Sequence, residues 1–138
     1  MSEKQTTLVL IKPDGVRRGL VGQILARIET KGYLLDDIRM VQASEEQLAT
    51  HYHELVNKPF YPGIVRYMTS GPLVALRVSG HRVIEGVRAL SGATDPTTAA
   101  AGTIRGDYGY DTGSDAIENL IHSSDSPQSA EHELAVWF

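Results

Sequence analysis

Residues 6–15 read Thr6-Thr7-Leu8-Val9-Leu10-Ile11-Lys12-Pro13-Asp14-Gly15. An apolar, β-branched run ending in Lys-Pro-Asp-Gly predicts a buried strand and then a turn. Outward from it, Val21, Ile24, Leu25 and Ile28 fall at helical spacing, and Lys31-Gly32 stops that helix. Residues 33–41 read as a second strand. Ser44 opens a helix with Gln47 three positions on, a capping-box pattern. Pro59 is expected to start a helix through Met68, ended by Ser70-Gly71-Pro72. Residues 73–78 read as a third strand, and Val83, Val87 and Leu90 mark a helix ending near Ser91-Gly92.

Residues 94–115 carry no clear periodic pattern. A stretch of that length in a compact domain is functional or hides short helices. Residues 119–122 read as a fourth short strand. Ser126 is a good N-cap with Pro127 at the first helical position, and Ala130, Leu134, Trp137 and Phe138 share an apolar face. The order β-α-β-α-α-β-α-loop-β-α predicts an α+β, ferredoxin-like fold. Its core is an antiparallel four-stranded sheet with helices packed on it, in one domain over residues 1–138. Helices on one face only would leave the other face to a ligand or a partner subunit.

The 138 residues are 41% hydrophobic and 22% charged, the balance of an ordinary soluble globular protein. Cysteine is absent, which excludes disulfides, thiolate zinc sites and cysteine nucleophiles. No apolar run is long enough to span a membrane, and Met1-Ser2-Glu3-Lys4-Gln5 shows no signal peptide. A cytoplasmic protein is the expectation. The net charge of −4 argues against nucleic acid as the main partner. All 13 basic residues lie at or before Arg105, alongside 10 acidic ones; residues 106–138 hold 7 acidic and no basic residues. Most of these are solvated faces. The sharper reading has the earlier segment grip an anion while the last segment supplies a neutral nucleophile.

Asn119-Leu120-Ile121-His122-Ser123-Ser124-Asp125-Ser126-Pro127 supplies such a group. His122 ends a strand beside a polar turn, and Glu133 lies in the following helix, which can turn back to reach it. A histidine oriented by a carboxylate serves as nucleophile or base. His51 and His53, two positions apart on a helix, face different directions, which argues against a metal pair. His81 and His132 read as solvated. No G-x-x-x-x-G-K-[ST] occurs, so a phosphate site would be built from side chains.

Further motifs are Lys58-Pro59-Phe60, Thr69-Ser70-Gly71-Pro72, Gly92-Ala93-Thr94-Asp95-Pro96 and Gly102-Thr103-Ile104-Arg105-Gly106-Asp107. With residues 7–15 and 119–126, they make the chain resemble the nucleoside diphosphate kinase family from Thr7 to Phe138. The resemblance implies γ-phosphate transfer from a nucleoside triphosphate to a diphosphate through a phosphohistidine, with ping-pong kinetics. Mg²⁺ would ride on the nucleotide phosphates, with no metal held by the protein. His122 is then the nucleophile, Glu133 holds its other ring nitrogen, and Ser124 stands beside it. Lys12, Arg88 and Arg105 match phosphate ligands, Tyr52 and Thr94 further phosphate-side contacts. Asn119 matches a contact to ribose and bridging oxygen. Phe60 matches the stacking platform for the base, and Ile64 stands where the family commonly has Leu. Stacking does not read base edges, so broad base tolerance follows. A homo-oligomer, specifically a hexamer, is implied.

Each residue has a structural alternative. Lys12 could be a surface lysine, Arg88 could pair with Glu85, and Arg105 with Asp107 or Asp95. Phe60 and Tyr52 could be core, and Asn119 could shape the start of its strand. The competing functional class is a non-catalytic nucleotide-binding regulatory module; retention of His122, Lys12, Arg105 and Glu133 together argues against it. Three departures from the family stand out. Ser123 replaces a usual Gly, which matters if that position needs φ > 0. Residues 108–118 are about four residues longer than in most relatives, just before Asn119. Ala101 replaces a common Pro.

Overall fold

The computed structural model describes residues 2–138. The elements are β1 (Lys4–Ile11), α1 (Pro13–Arg17), α2 (Val21–Lys31), β2 (Leu34–Val41), α3 (Glu45–His51), α4 (Tyr61–Met68), β3 (Leu73–His81), α5 (Val83–Ser91), α6 (Ile104–Tyr108), β4 (Ile121–Ser123) and α7 (Pro127–Trp137). The strands form one sheet in the order β2-β3-β1-β4, antiparallel throughout. This is the α+β, ferredoxin-like arrangement expected.

Helices cover both faces of the sheet, not one. Leu8, Val9, Leu10 and Ile11 of β1 are all fully buried. A strand apolar at every position exposes neither side to water. Val9 and Ile11 join Ile24 and Ile28 of α2 and Val83 and Val87 of α5 in one core. Leu8 and Leu10 join Leu48 of α3, Met68 of α4 and Trp137 of α7 in the other. Burying side chains of this size stabilises by about 1.5–3 kcal/mol each.

Local signals were met in most places. Ser44 and Gln47 form the capping box, and Ser126 caps α7 with Pro127 in its first turn. Two short elements differ from expectation, and a third lies in the stretch that the sequence left open. Lys12-Pro13-Asp14-Gly15 is the start of α1 rather than a turn, with Lys12 as N-cap and Pro13 pre-set for the first turn. The α4 helix begins at Tyr61, not Pro59, and residues 52–60 wind through turns. The α6 helix hides in the irregular stretch, opened by Thr103 Oγ1 accepting from the Gly106 amide at 3.0 Å. A Cβ on Gly106 would lie 1.9 Å from the Ala100 carbonyl oxygen, so this turn requires glycine.

Register places the last strand. β4 lies against the end of β1, with Leu10 opposite His122 and Ile11 opposite Ile121. The Lys12 amide donates to the Leu120 carbonyl at 2.7 Å. Lys12 and Leu120, 108 positions apart in sequence, thus meet at one side of the sheet. Ser123 sits in β4 without a positive φ; the non-glycine residues with positive φ are Arg82 (53°) and Leu120 (72°). Serine here therefore carries no left-handed strain. No helix among the described residues is long and apolar enough to cross a membrane.

Candidate active site

His122 projects from β4 beside α7. Its Nε2 lies 2.7 Å from Glu133 Oε1, and the buried Ser124 hydroxyl donates to the same oxygen at 2.8 Å. A carboxylate only accepts, so the His122 proton sits on Nε2 and Nδ1 keeps its lone pair. Burial lowers the His122 pKa; the Glu133 hydrogen bond and charge oppose this, and Lys12 and Arg105 reinforce it. Burial alone would raise the Glu133 carboxyl. Hydrogen bonds and charge from His122, with His51 and Ser124, outweigh it and hold the pKa below its ordinary value. The pair is thus neutral imidazole against carboxylate.

Lys12 follows directly from β1. Its Nζ donates to Asn119 Oδ1 at 2.8 Å and lies 5.6 Å from the Tyr67 ring centre. Burial, and then the neighbouring Arg105, lower its pKa to about 8, against the pull of Asp14. It is not a free surface lysine. Asn119 is buried and gathers three segments: it accepts from Lys12, donates to the Thr94 carbonyl at 3.0 Å, and accepts from Arg105 Nε at 3.2 Å through its own carbonyl.

Arg105 donates further to the carbonyls of Gly92 (2.9 Å) and Ile121 (2.6 Å). Three of its five N–H groups are committed to backbone, leaving two for an anion. Burial, then Arg88, lower its pKa. It pairs with neither Asp107 nor Asp95; Asp107 instead holds Arg27 at 2.5 Å. Arg88 is less committed, with one 3.3 Å bond to the Ser123 carbonyl. Glu85 pairs with Arg82, so Arg88 keeps its charge for another partner.

Lys12, Tyr52, Phe60, Ile64, Thr94 and Asn119 line one cavity of about 330 Å³, together with Tyr67, Asp115, Ala116 and Ile117. Phe60 is 52% exposed, an aromatic face open to solvent rather than a core ring. Asp115, Ala116 and Ile117 come from the 108–118 segment, which therefore supplies part of this wall. Burial raises the Tyr52 pKa, so its hydroxyl stays protonated. Its lining combines apolar side chains (Phe60, Ile64, Ile117) with polar ones (Lys12, Thr94, Asn119). It suits a ligand with a flat base and a charged tail. Arg88, Arg105, His122, Ser124 and Glu133 stand beside it rather than among its lining residues. A larger cavity of about 490 Å³ shares Tyr52 with the first and is lined also by Glu133, His51, His53, Asp125 and His132.

Sequence reasoning passed over two supporting pairs. Asp14, inside the Lys-Pro-Asp-Gly motif, accepts from the Tyr67 hydroxyl at 2.5 Å and from the Leu120 amide at 3.2 Å. It holds the left-handed Leu120 that turns the chain into β4. His51, read as structural, lies against His122 with ring centres 4.6 Å apart. Neither pair has a signature in spacing, since partners are far apart in sequence.

Among the described residues, the group of three His, Asp or Glu side chains close enough to share an ion is His51, His122 and Glu133. That nitrogen-rich set does not suit Mg²⁺, which takes oxygen ligands.

The nucleoside diphosphate kinase family model matches residues 5–138. The nucleoside diphosphate kinase of Streptomyces avermitilis is 55% identical over 135 residues, 97% of this chain and 96% of that one. That of Pyrococcus furiosus is 49% identical over 138 residues, 100% of this chain and 85% of that one. Among solved structures, a halophilic nucleoside diphosphate kinase from Halobacterium salinarum in complex with CDP is 44% identical with a TM-score of 0.91, covering 100% of this chain and 88% of that one. A transition-state mimic of the enzyme from Borrelia burgdorferi, with bound vanadate and ADP, is 35% identical with a TM-score of 0.90, covering 98% of this chain and 87% of that one. The chain belongs to the nucleoside diphosphate kinase family.

Proposed function

We propose that residues 1–138 form one kinase domain that moves the γ-phosphate of a nucleoside triphosphate to a nucleoside diphosphate through phosphorylated His122. The observation that carries this is the His122–Glu133–Ser124 arrangement, which fixes the Nε2 proton and leaves Nδ1 as a lone-pair donor. In the first step the Nδ1–P bond forms as the bond from phosphorus to the β–γ bridging oxygen breaks, and the diphosphate leaves. Nδ1 carries no proton, so none has to be removed. The ring becomes cationic, and Glu133 stabilises it through Nε2–H. In the second step a terminal phosphate oxygen of an acceptor diphosphate attacks phosphorus and the N–P bond breaks. Donor and acceptor use one site in turn.

Charge on the migrating group needs fixed positive donors. Lys12 offers a point charge, while Arg88 and the two uncommitted N–H groups of Arg105 offer directional donors. Asn119 holds Lys12 in place and offers its remaining polar capacity to ribose and bridging oxygen. Tyr52 and Thr94 complete the phosphate side. Phe60 stacks the base, with Ile64 and Ile117 as apolar neighbours, which supports broad base tolerance. The CDP and ADP complexes of the two solved relatives support nucleotides as ligands. Mg²⁺ enters as part of the substrate, carried on its phosphates.

The reading includes a homo-oligomer, with the hexamer taken from the resemblance, and a cytoplasmic location. Self-association is supported by edge strand β2, where Leu34, Ile38 and Met40 are 56%, 50% and 63% exposed. Large apolar side chains on an unpaired edge call for a cover.

The test is initial-rate kinetics with MgATP and GDP. Parallel double-reciprocal lines, with comparable turnover for purine and pyrimidine diphosphates, are expected. Converging lines would exclude the phosphoenzyme route.

A further inference from the structure

We infer that His51 is a positioning residue that fixes the plane of the His122 ring, with its own orientation set by Trp137. This rests on the phosphohistidine reading above and goes beyond it.

His51 ends α3 and is 6% exposed. Its ring meets that of His122 edge to face, with centres 4.6 Å apart and planes at 73°. On its other side, Trp137 Nε1–H donates to His51 Nδ1 at 2.9 Å, across 86 positions of sequence. A ring nitrogen of His51, one of His122 and a carboxylate oxygen of Glu133 lie within 4.8 Å of one another. Two histidines and a glutamate are also a zinc ligand set. The hydrogen bonds argue otherwise. Indole N–H only donates, so His51 Nδ1 is the acceptor and the neutral ring carries its proton on Nε2. Neither nitrogen of His51 then presents a free lone pair to a metal. Burial keeps the ring neutral, with its pKa lowered to about 3. It therefore puts no second cation beside the nucleophile.

The remaining role follows from geometry. The Glu133 bond holds one atom of the His122 ring, Nε2, but leaves the plane free to tilt. The T-shaped contact with the His51 ring removes that freedom and aligns the Nδ1 lone pair for attack. Trp137 makes the buttress rigid by locking the His51 ring in turn.

The experiment is single-turnover phosphorylation by MgATP, run with ADP affinity and with ring-nitrogen NMR of His122. His51→Ala is expected to slow phosphorylation by about 10- to 100-fold while ADP affinity stays within about twofold. The His122 ring-nitrogen signals should remain those of the Nε2–H tautomer that Glu133 holds, but broaden as the ring samples other planes. Trp137→Phe should move both readouts the same way, by less. The double variant His51→Phe/Trp137→Phe removes donor and acceptor together and restores an aromatic edge, so its rate should return to within about threefold of wild type. An unchanged rate in His51→Ala overturns the proposal. So does a double variant as slow as His51→Ala, or a rate loss matched by an equal loss of ADP affinity. If wild type itself forms no phosphohistidine, the functional reading fails instead.

Discussion

Lys12 Nζ and Asn119 Oδ1 meet at 2.8 Å across 107 positions of sequence, and their bond ties the end of β1 to the start of β4. Neither residue acts alone. Asn119 locates the ammonium, and the ammonium holds the amide whose other end anchors Thr94.

Asn119→Ala should raise the KM for nucleoside diphosphates about 5- to 10-fold, the value of about one hydrogen bond. Asn119→Asp should do worse on kcat. Its carboxylate would pair with Lys12 and repel phosphate. Steady-state kinetics on both variants checks this; an Asp variant as active as the Ala variant would refute the tie.

The pH profile should be bell-shaped in kcat/KM. Attack needs neutral His122, and burial depresses its pKa below the ordinary 6.5, so the acid midpoint should fall below 6.5. Burial, with Arg105, lowers Lys12 to about 8, so its charge is lost above that pH and the alkaline limb should lie near 8. Lys12→Arg should remove the alkaline limb while lowering the rate, because arginine stays charged. An alkaline limb unchanged in that variant would assign it elsewhere.

Stability should also fall in acid. His51 and His122 both have folded pKa values below the unfolded 6.5, so the unfolded chain binds the extra protons as pH drops through 6.5. Each such proton costs about 1.4 kcal/mol per pH unit. Glu133 is held below its ordinary 4.5, so its contribution, present above pH 4.5, is lost as pH falls further. Denaturant unfolding between pH 7 and pH 4 measures the slope; a flat profile would mean that these histidines are charged when folded.

Arg105→Lys should destabilise the fold by about 2–4 kcal/mol, because a charged donor to three part-buried backbone carbonyls is replaced by one that cannot span them. Arg88→Ala, losing a single long bond, should cost less than about 1 kcal/mol. Both should slow phosphoryl transfer. Equal melting of the two variants would contradict the clamp assigned to Arg105.

Ser123→Gly should not speed the enzyme. The backbone there is ordinary strand, and glycine should instead cost about 0.5–1 kcal/mol. A clear gain in rate would show that serine crowds the site.

Much of this arrangement was legible before any coordinates. The continuous apolar run of residues 8–11 gave a buried strand, and the Ser44 and Ser126 caps gave helix starts, because those signals are local. The same run also implied burial on both faces, which the expectation of one-sided helices overlooked. Five residues are too few to show a 3.6-residue period, so α1 was missed and α6 was foreseen only as a short helix that residues 94–115 could hide. Asp14 with Leu120, and Trp137 with His51, could not be read at all. These are contacts between distant segments, set by register rather than by spacing.

The central claim is that His122 carries the phosphate. Wild type and His122→Ala should be incubated with γ-labelled ATP and Mg²⁺ in the absence of acceptor. An acid-labile, base-stable label on wild type alone, released as labelled GTP on adding GDP, is the predicted result. No label on wild type, or equal label on His122→Ala, would contradict the account.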